Sequence, residues 1–247
     1  MRLALLADLH ANREAVSACL AHAQCSNAER YAFLGDFVGY GADPGWVLST
    51  VMAHVEKGAL AVLGNHDHAV LHGPRKTMIP DARKVIEWTR GHLTVAHLEF
   101  LGGLPLQLED DDRLFVHANA WAPEKWEYIT STFDARSSML ATRRRLSFCG
   151  HVHEPTLYHM GSDCRAAAFK PVPGTGIPLS RQRRWLAIPG SVGQPRDGVP
   201  AACYALLDTA SNVLTYYRVA YDFEAAARKI REAGLPETFV VLLERGR

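Results

Sequence analysis

Five consecutive residues, Gly64-Asn65-His66-Asp67-His68, concentrate more chemistry than any other stretch of this sequence. An amide, an imidazole and a carboxylate arrive together behind the apolar run Ala59 to Leu63, which reads as a buried strand turned by Gly64. Such groups need partners once they leave water. A polar turn with an incidental histidine would also look like this, but four other apolar runs end the same way. Asp8 and His10 follow Leu3 to Ala7, Asp36 follows Tyr31 to Leu34, His117 follows Leu114 to Val116, and His151 and His153 follow Leu146 to Cys149. The donors are oxygen and nitrogen with no thiolate, which suits Mn, Fe, Zn, Ni or Co rather than a structural zinc. They outnumber the needs of one tetrahedral ion, so two ions are expected. Two ions sharing a site need a bridging carboxylate, and Asp36 stands centrally in the set.

The elements that must position these residues follow from hydrophobic periodicity. Leu3 to Ala7, Tyr31 to Leu34 and Ala59 to Leu63 alternate with two helices. One helix is capped by Asn12 and carries Ala15, Val16, Cys19, Leu20 and Ala23; the other opens at Asp43-Pro44 and is stopped by Gly58. Strand–helix–strand alternation means parallel pairing with right-handed crossovers, and loops at the carboxyl ends of parallel strands share one edge. Pro80 to Gly103 reads as two helices broken at Gly91, with Asp81 and Thr94 as caps, and Val70 to Ile79 as a loop at the rim or a lid. The acidic run Glu109 to Asp112 reads as a hairpin tip and lacks the spacing of a calcium loop. The C-terminal half is a series of short strands, with Lys170 to Arg184 as a connecting loop and no long helix until Phe223 to Ala233. Leu235 to Leu243 is a last helix or an extended tail. Together this describes residues 1–247 as one domain, two sheets face to face with helices outside.

Composition narrows the function. The net charge is +1 over 247 residues, so no basic field argues for nucleic acid or an acidic membrane. The five cysteines are odd in number and none is spaced as CxxC, which fits reduced thiols in the cytoplasm. Asp8 and His10 interrupt the apolar N-terminus, so neither a signal peptide nor a membrane span is expected.

Asp8-x-His10, Gly35-Asp36, Gly64-Asn65-His66-Asp67, His117 and Gly150-His151-x-His153 resemble, in order, the motifs of the calcineurin-like metallophosphoesterases. The stretch Pro189 to Gly198 and the tail Ile230 to Arg247 are similar to the small bacterial and archaeal branch described as diadenosine tetraphosphatase-like or phosphodiesterase-like. The resemblance implies a four-layer α/β/β/α sandwich with two mixed sheets. It implies one ion held by Asp8, His10, Asp36 and His153, and a second by Asp36, Asn65, His117 and His151, with Mn or Fe favoured. His66 would donate a proton to the leaving oxygen, oriented by Asp67. A water bridging two divalent ions is acidic enough to become the nucleophile near neutral pH, and the ions neutralise the phosphoryl oxygens during in-line attack. The expected substrate is a small phosphodiester or phosphoanhydride of nucleotide type. Phosphomonoesters, including phosphoproteins, are the alternative. A scaffold that has lost its ligands is disfavoured because all seven ligand positions and His66 are present. A nuclease would need a cap or a basic groove.

The chain departs from the family pattern at Ala11, Ala118-Asn119 and Ile188. A methyl group at Ala11 is acceptable provided its φ stays negative. Asn12 can contact substrate or simply cap a helix. Arg196 can clamp a phosphate with its fork of donors or serve a turn. Trp121, Trp126 and Tyr128 can stack on a flat leaving group or pack, and His68 and His72 can line the pocket. Arg143-Arg144-Arg145 reads as a solvated helix end.

Overall fold

The computed structural model describes residues 1–247, in two six-stranded sheets. The first has the order β3 (Leu60–Ala61), β2 (Arg30–Phe33), β1 (Arg2–Leu6), β11 (Ala202–Asp208), β12 (Val213–Val219), β9 (Gly176–Pro178). The second has the order β4 (Gln107–Asp110), β5 (Arg113–Val116), β6 (Leu146–Phe148), β10 (Arg184–Ile188), β7 (Thr156–Met160), β8 (Ala166–Phe169). Each sheet contains a parallel trio, β3-β2-β1 in one and β5-β6-β10 in the other. The remaining pairings are antiparallel.

Residue alternation along the strands sorts the layers. Leu3 and Leu5 of β1 face Phe115, Phe148 and Trp185 of the second sheet, in a core that also takes Ala205, Leu207 and Tyr216. Ala4 and Leu6 point the other way, onto α1 (Arg13–Cys25), α2 (Pro44–Val55), α3 (Asn65–His72) and α5 (Val95–Gly102). Burial on both faces is why β1 is apolar throughout. On the far side, Leu114, Val116, Leu186 and Ile188 pack on Ala135 and Met139 of α6 (Thr132–Leu140). The four-layer α/β/β/α arrangement is therefore present. A satellite cluster joins α4 (Pro80–Gly91), α7 (Phe223–Glu232) and α8 (Glu237–Arg245) through Ala82, Val85, Ile230, Phe239 and Val240. No helix is long and apolar enough to cross a membrane.

Several local expectations change. The Val70 to Ile79 loop is shorter, because α3 starts inside the Gly64-Asn65-His66 motif and runs to His72. Lys170 to Arg184 contains β9, which leaves the second sheet to pair with β12 in the first. A nine-residue helix, α6, precedes the short strands of the C-terminal half; Ser131 caps it through the amide of Asp134. Pro80 opens α4 at its first turn, so Asp81 lies inside the helix rather than capping it. Arg143 to Arg145 sit in the turn after α6, not on a helix end. Arg144 pairs with Glu109 at 2.6 Å and Arg145 with Asp112 at 2.8 Å, so they hold the acidic hairpin tip.

Candidate metal centre

All five donor-bearing strand ends converge at one edge. β1 delivers Asp8 and His10, β2 delivers Asp36, β3 leads to Asn65 and His66, β5 delivers His117, and β6 delivers His151 and His153. His10 Nε2 lies 3.1 Å from His153 Nε2, and Asp8 Oδ1 lies 3.6 Å from the latter. His117 Nε2 lies 3.2 Å from His151 Nδ1 and 3.0 Å from Asn65 Oδ1. Asp36 Oδ2 stands between the two groups, 3.9 Å from His10 Nε2 and 3.4 Å from His117 Nε2. Its other oxygen accepts the backbone N–H of His66 at 2.8 Å.

The second nitrogen of each imidazole decides what the first can do. His10, His117 and His153 donate Nδ1–H to the carbonyls of Val38, Leu34 and Gln194 at 3.1, 2.7 and 2.6 Å. His151 donates Nε2–H to Trp126 O at 2.9 Å. These bonds fix the tautomers and turn four lone pairs inward. Lone pairs 3.1 and 3.2 Å apart repel unless a cation or proton lies between them, so the donor set fits metal ions by its own chemistry.

Electrostatics agree. Burial opposes ionisation of Asp36, but the imidazoles of His117, His66 and His10 hold its carboxyl well below the usual range. Burial pushes Asp8 up to about 7, and the charge of Asp36 adds to this. Burial also disfavours a charged His117, yet Asp36 and Asp8 together raise it to about 9. The same negative charges favour any cation at this position.

Reaching this geometry costs backbone strain. Asp8, His10, Asp36, His151 and His153 all have positive φ, between 46° and 69°. Non-glycine residues rarely adopt this region, and such outliers gather at functional sites. Ala11 is also positive, at 51°, so the expectation of negative φ there fails. The tight turn that re-aims His10 carries the alanine with it. Gly64 is required sterically, since a Cβ there would collide with the backbone and carboxylate of Asp36.

The remaining expected residues separate. His66 is buried, edge-on to the ring of Tyr40 at 4.5 Å, and its Nδ1 has no partner. Burial pushes it down to about 4. It lies within 4.8 Å of donors on His10 and Asp36, close enough to act in the same chemistry. Asp67 does not bond to the His66 ring. It accepts from the amides of Phe37, Val38 and Gly64, tying the loop after β2 to the start of α3. Asn12 spends its amide within the fold, capping Ala15 and donating to Gly193 O and the Tyr221 hydroxyl. Arg196 faces the open cleft and donates to the Tyr40 hydroxyl at 3.3 Å. Trp121 turns away, bonding Glu127 and packing beside α6. Trp126 is buried against His117 and His68, whereas Tyr128 stacks on His151 at 4.0 Å with its other side open. His72 lies with its ring 4.4 Å from that of His68, outside the residues that line the cleft.

In the loop after β10, sequence reasoning assigned a role only to Arg196. Ser191 donates its hydroxyl to Asp8 O at 2.8 Å, and Gln194 O fixes the tautomer of His153. Gly193 approaches Leu9 so closely that a Cβ would meet its carbonyl. The available signal was the Pro-Gly-Ser-x-Gly string itself, where two glycines flank a hydroxyl beyond a buried strand.

The calcineurin-like phosphoesterase superfamily domain matches residues 1–212. The chain belongs to that family. It is 32% identical over 240 residues to an uncharacterized protein of Methanocaldococcus jannaschii, covering 95% of this chain and 94% of the relative. A metallophosphoesterase crystal structure from Sphaerobacter thermophilus superposes with a TM-score of 0.89 at 35% identity, covering 100% and 99% of the two chains. A hypothetical protein from Pyrococcus horikoshii has the same fold, with a TM-score of 0.80 at 19% identity over 100% and 98% of the chains. The chain is a metal-dependent phosphoesterase.

Proposed function

We propose that this phosphoesterase works with two divalent ions, Mn or Fe, on a phosphodiester or phosphoanhydride of nucleotide type. Asp8, His10, Asp36 and His153 would hold one ion, and Asp36, Asn65, His117 and His151 the other. The observation that carries this reading is the position of Asp36 Oδ2 between His10 Nε2 and His117 Nε2 while Oδ1 is fixed by the His66 amide. Bound there, two divalent ions supply an acidified water and neutralise charge on the phosphoryl oxygens.

The protein's own groups do the rest. The four carbonyl-anchored imidazoles keep their lone pairs aimed without reorganisation. His66 gives a proton to the leaving oxygen; an anionic phosphoryl group beside it offsets the burial that keeps the ring neutral. Arg196 forks onto a phosphoryl oxygen. Asp67 acts through the backbone, holding the loop of Asp36 against the turn that carries His66. Asn12 sets the start of α1 and the Gly193 approach.

A cavity of about 570 Å³ runs outward from Asn65, His66 and His151. This size leaves room for substituents on both sides of the reacting phosphorus, which favours a diester or anhydride over a monoester. We read residues 1–247 as one domain, because the core between the sheets draws on strands from both halves of the chain. All five cysteines are free, as a reducing cytoplasm would keep them.

The test compares para-nitrophenyl phosphate with bis-para-nitrophenyl phosphate, using metal-stripped protein with Mn(II) added back. Preference for the diester is the expected result. Preference for the monoester would move the search to phosphoproteins and sugar phosphates. No turnover of either by metal-loaded protein would sink the enzymatic reading.

A further inference from the structure

We propose that the outer half of the cleft is a second anion site. The substrate is then a nucleoside-type phosphoanhydride carrying at least one phosphate beyond the one attacked. This rests on the phosphoesterase reading above and specifies its substrate class.

The charge balance of the cleft points there. Arg75, Lys125, Arg196 and Arg247 line the cavity, and no Asp or Glu side chain does. None of the four forms an ion pair with a carboxylate. Elsewhere the protein neutralises comparable groups internally: Arg218 pairs with Asp197, Lys229 with Glu14 and Asp43, and Arg231 with Glu237 and Glu244. With a net charge of only +1 for the whole chain, Arg75, Lys125 and Arg196 around one cavity are a local field. A diester brings a single negative charge, which Arg196 and the ion site already answer. Arg75 and Lys125 are then left for further phosphates.

Geometry links the two halves. Trp126 has a left-handed backbone, φ 59°, at the corner following the turn Pro123–Lys125. Its carbonyl holds His151 Nε2, and its ring carries the Arg75 guanidinium at 5.7 Å. Arg75 Nη2 also donates to Glu124 O at 2.7 Å, which pins the loop between α3 and α4 across the cleft to that corner. One residue, Trp126, therefore touches both a donor of the ion site and one of the outer cations. Tyr128 completes the site. Its ring lies on His151 at an interplanar angle of 15° and is 48% exposed, so one face is free for a base.

In the reaction, a water oxygen bonds to phosphorus and the P–O–P bond breaks with its electron pair on the outer phosphate. His66 protonates the leaving oxygen, and the protons of the water pass to the other product phosphate and to solvent, which returns one to His66.

The experiment uses the metal-loaded full chain with two probes, diadenosine triphosphate and bis-para-nitrophenyl phosphate. Arg75→Ala and Lys125→Ala should each lower kcat/KM for the triphosphate by at least about tenfold, mainly through KM, because each removes a charge-assisted contact. For the singly charged diester the change should stay under about twofold. Arg75→Lys should recover part of the loss, and added salt should weaken the triphosphate reaction more steeply than the diester reaction. Equal losses on both probes would overturn the outer site. So would wild-type protein that cleaves the diester and leaves the triphosphate intact. Turnover of neither probe would overturn the phosphoesterase reading itself, and the outer site with it.

Discussion

The floor and the rim of the cleft are built by opposite rules. On the floor, Asp8, His10, Asp36, His117, His151 and His153 are buried, held by backbone carbonyls and amides, and mostly locked at positive φ. At the rim, Arg75 and Lys125 come from loop and turn segments, Tyr128 is half exposed, and no carboxylate pairs with the cations. Strain and burial are tolerable where the chemistry demands one geometry, since preorganised charge is worth most where water is excluded. A rim that meets different substrates gains nothing from such rigidity. The division teaches that reaction class is written in the floor and substrate choice in the rim.

The largest effect expected is from Asp36→Asn. The variant should lose at least about 10³-fold in turnover and bind fewer metal equivalents by elemental analysis, since one oxygen serves both donor groups. Full activity would end the bridging assignment. Next is His66→Ala, expected to keep its metal content and lose about 10² to 10³-fold in kcat. The loss should be smallest for para-nitrophenolate, a leaving group that needs little protonation. A fall in metal content instead would make His66 a ligand, an option its distance to His10 and Asp36 leaves physically available.

The floor was legible in the sequence for a simple reason. Each donor directly follows an apolar run, so strand ends and chemistry coincide along the chain, and the parallel trios put those ends on one edge. What sequence could not carry was backbone sign and long-range pairing. Nothing local to Ala11 announces φ 51°, and nothing in the Asp67 neighbourhood shows that its carboxylate would reach the amides of Phe37 and Val38 rather than the adjacent imidazole. Lys170 to Arg184 hides β9 because a short strand with Pro178 at its edge has too few residues for a period. The rim was legible only in part, through Arg196, Tyr128 and the Val70 to Ile79 loop. Residues 75, 125, 128, 196 and 247 share no spacing, and only folding gathers them.

A third test reads the floor through pH. In the metal-free chain, burial raises Asp8 and Asp67 to about 7, and neighbouring carboxylates raise His117 to about 9 against burial. A group whose folded pKa is raised contributes stability below its unfolded value and loses it as pH climbs through the folded value. Between about pH 7.5 and 9 His117 sets the direction, because the depressed His10, His66, His151 and His153 are by then neutral in both states. The melting temperature of metal-free protein should therefore fall across that window. Bound metal replaces the proton on His117 and ionises Asp8, so the stabilisation by Mn(II) should grow with pH. A metal-free melting temperature that rises from about pH 7.5 to 9 would contradict the charge arrangement described for the floor.

The smallest effect separates floor from rim most finely, because Tyr128 touches both. Its ring lies on His151, and it shares the cavity wall with Arg196. If it belongs to the rim, Tyr128→Ala should raise KM for nucleotide substrates about fivefold, near the lower end of what one base stack is worth. Metal content should not change. Tyr128→Phe then tells which part matters: recovery of KM assigns the effect to the ring face, and a KM as poor as that of the alanine variant assigns it to the hydroxyl and Arg196. Loss of metal in Tyr128→Ala would show that the His151 imidazole needs the stacked ring as well as the Trp126 carbonyl, and the boundary between floor and rim would move outward by one residue.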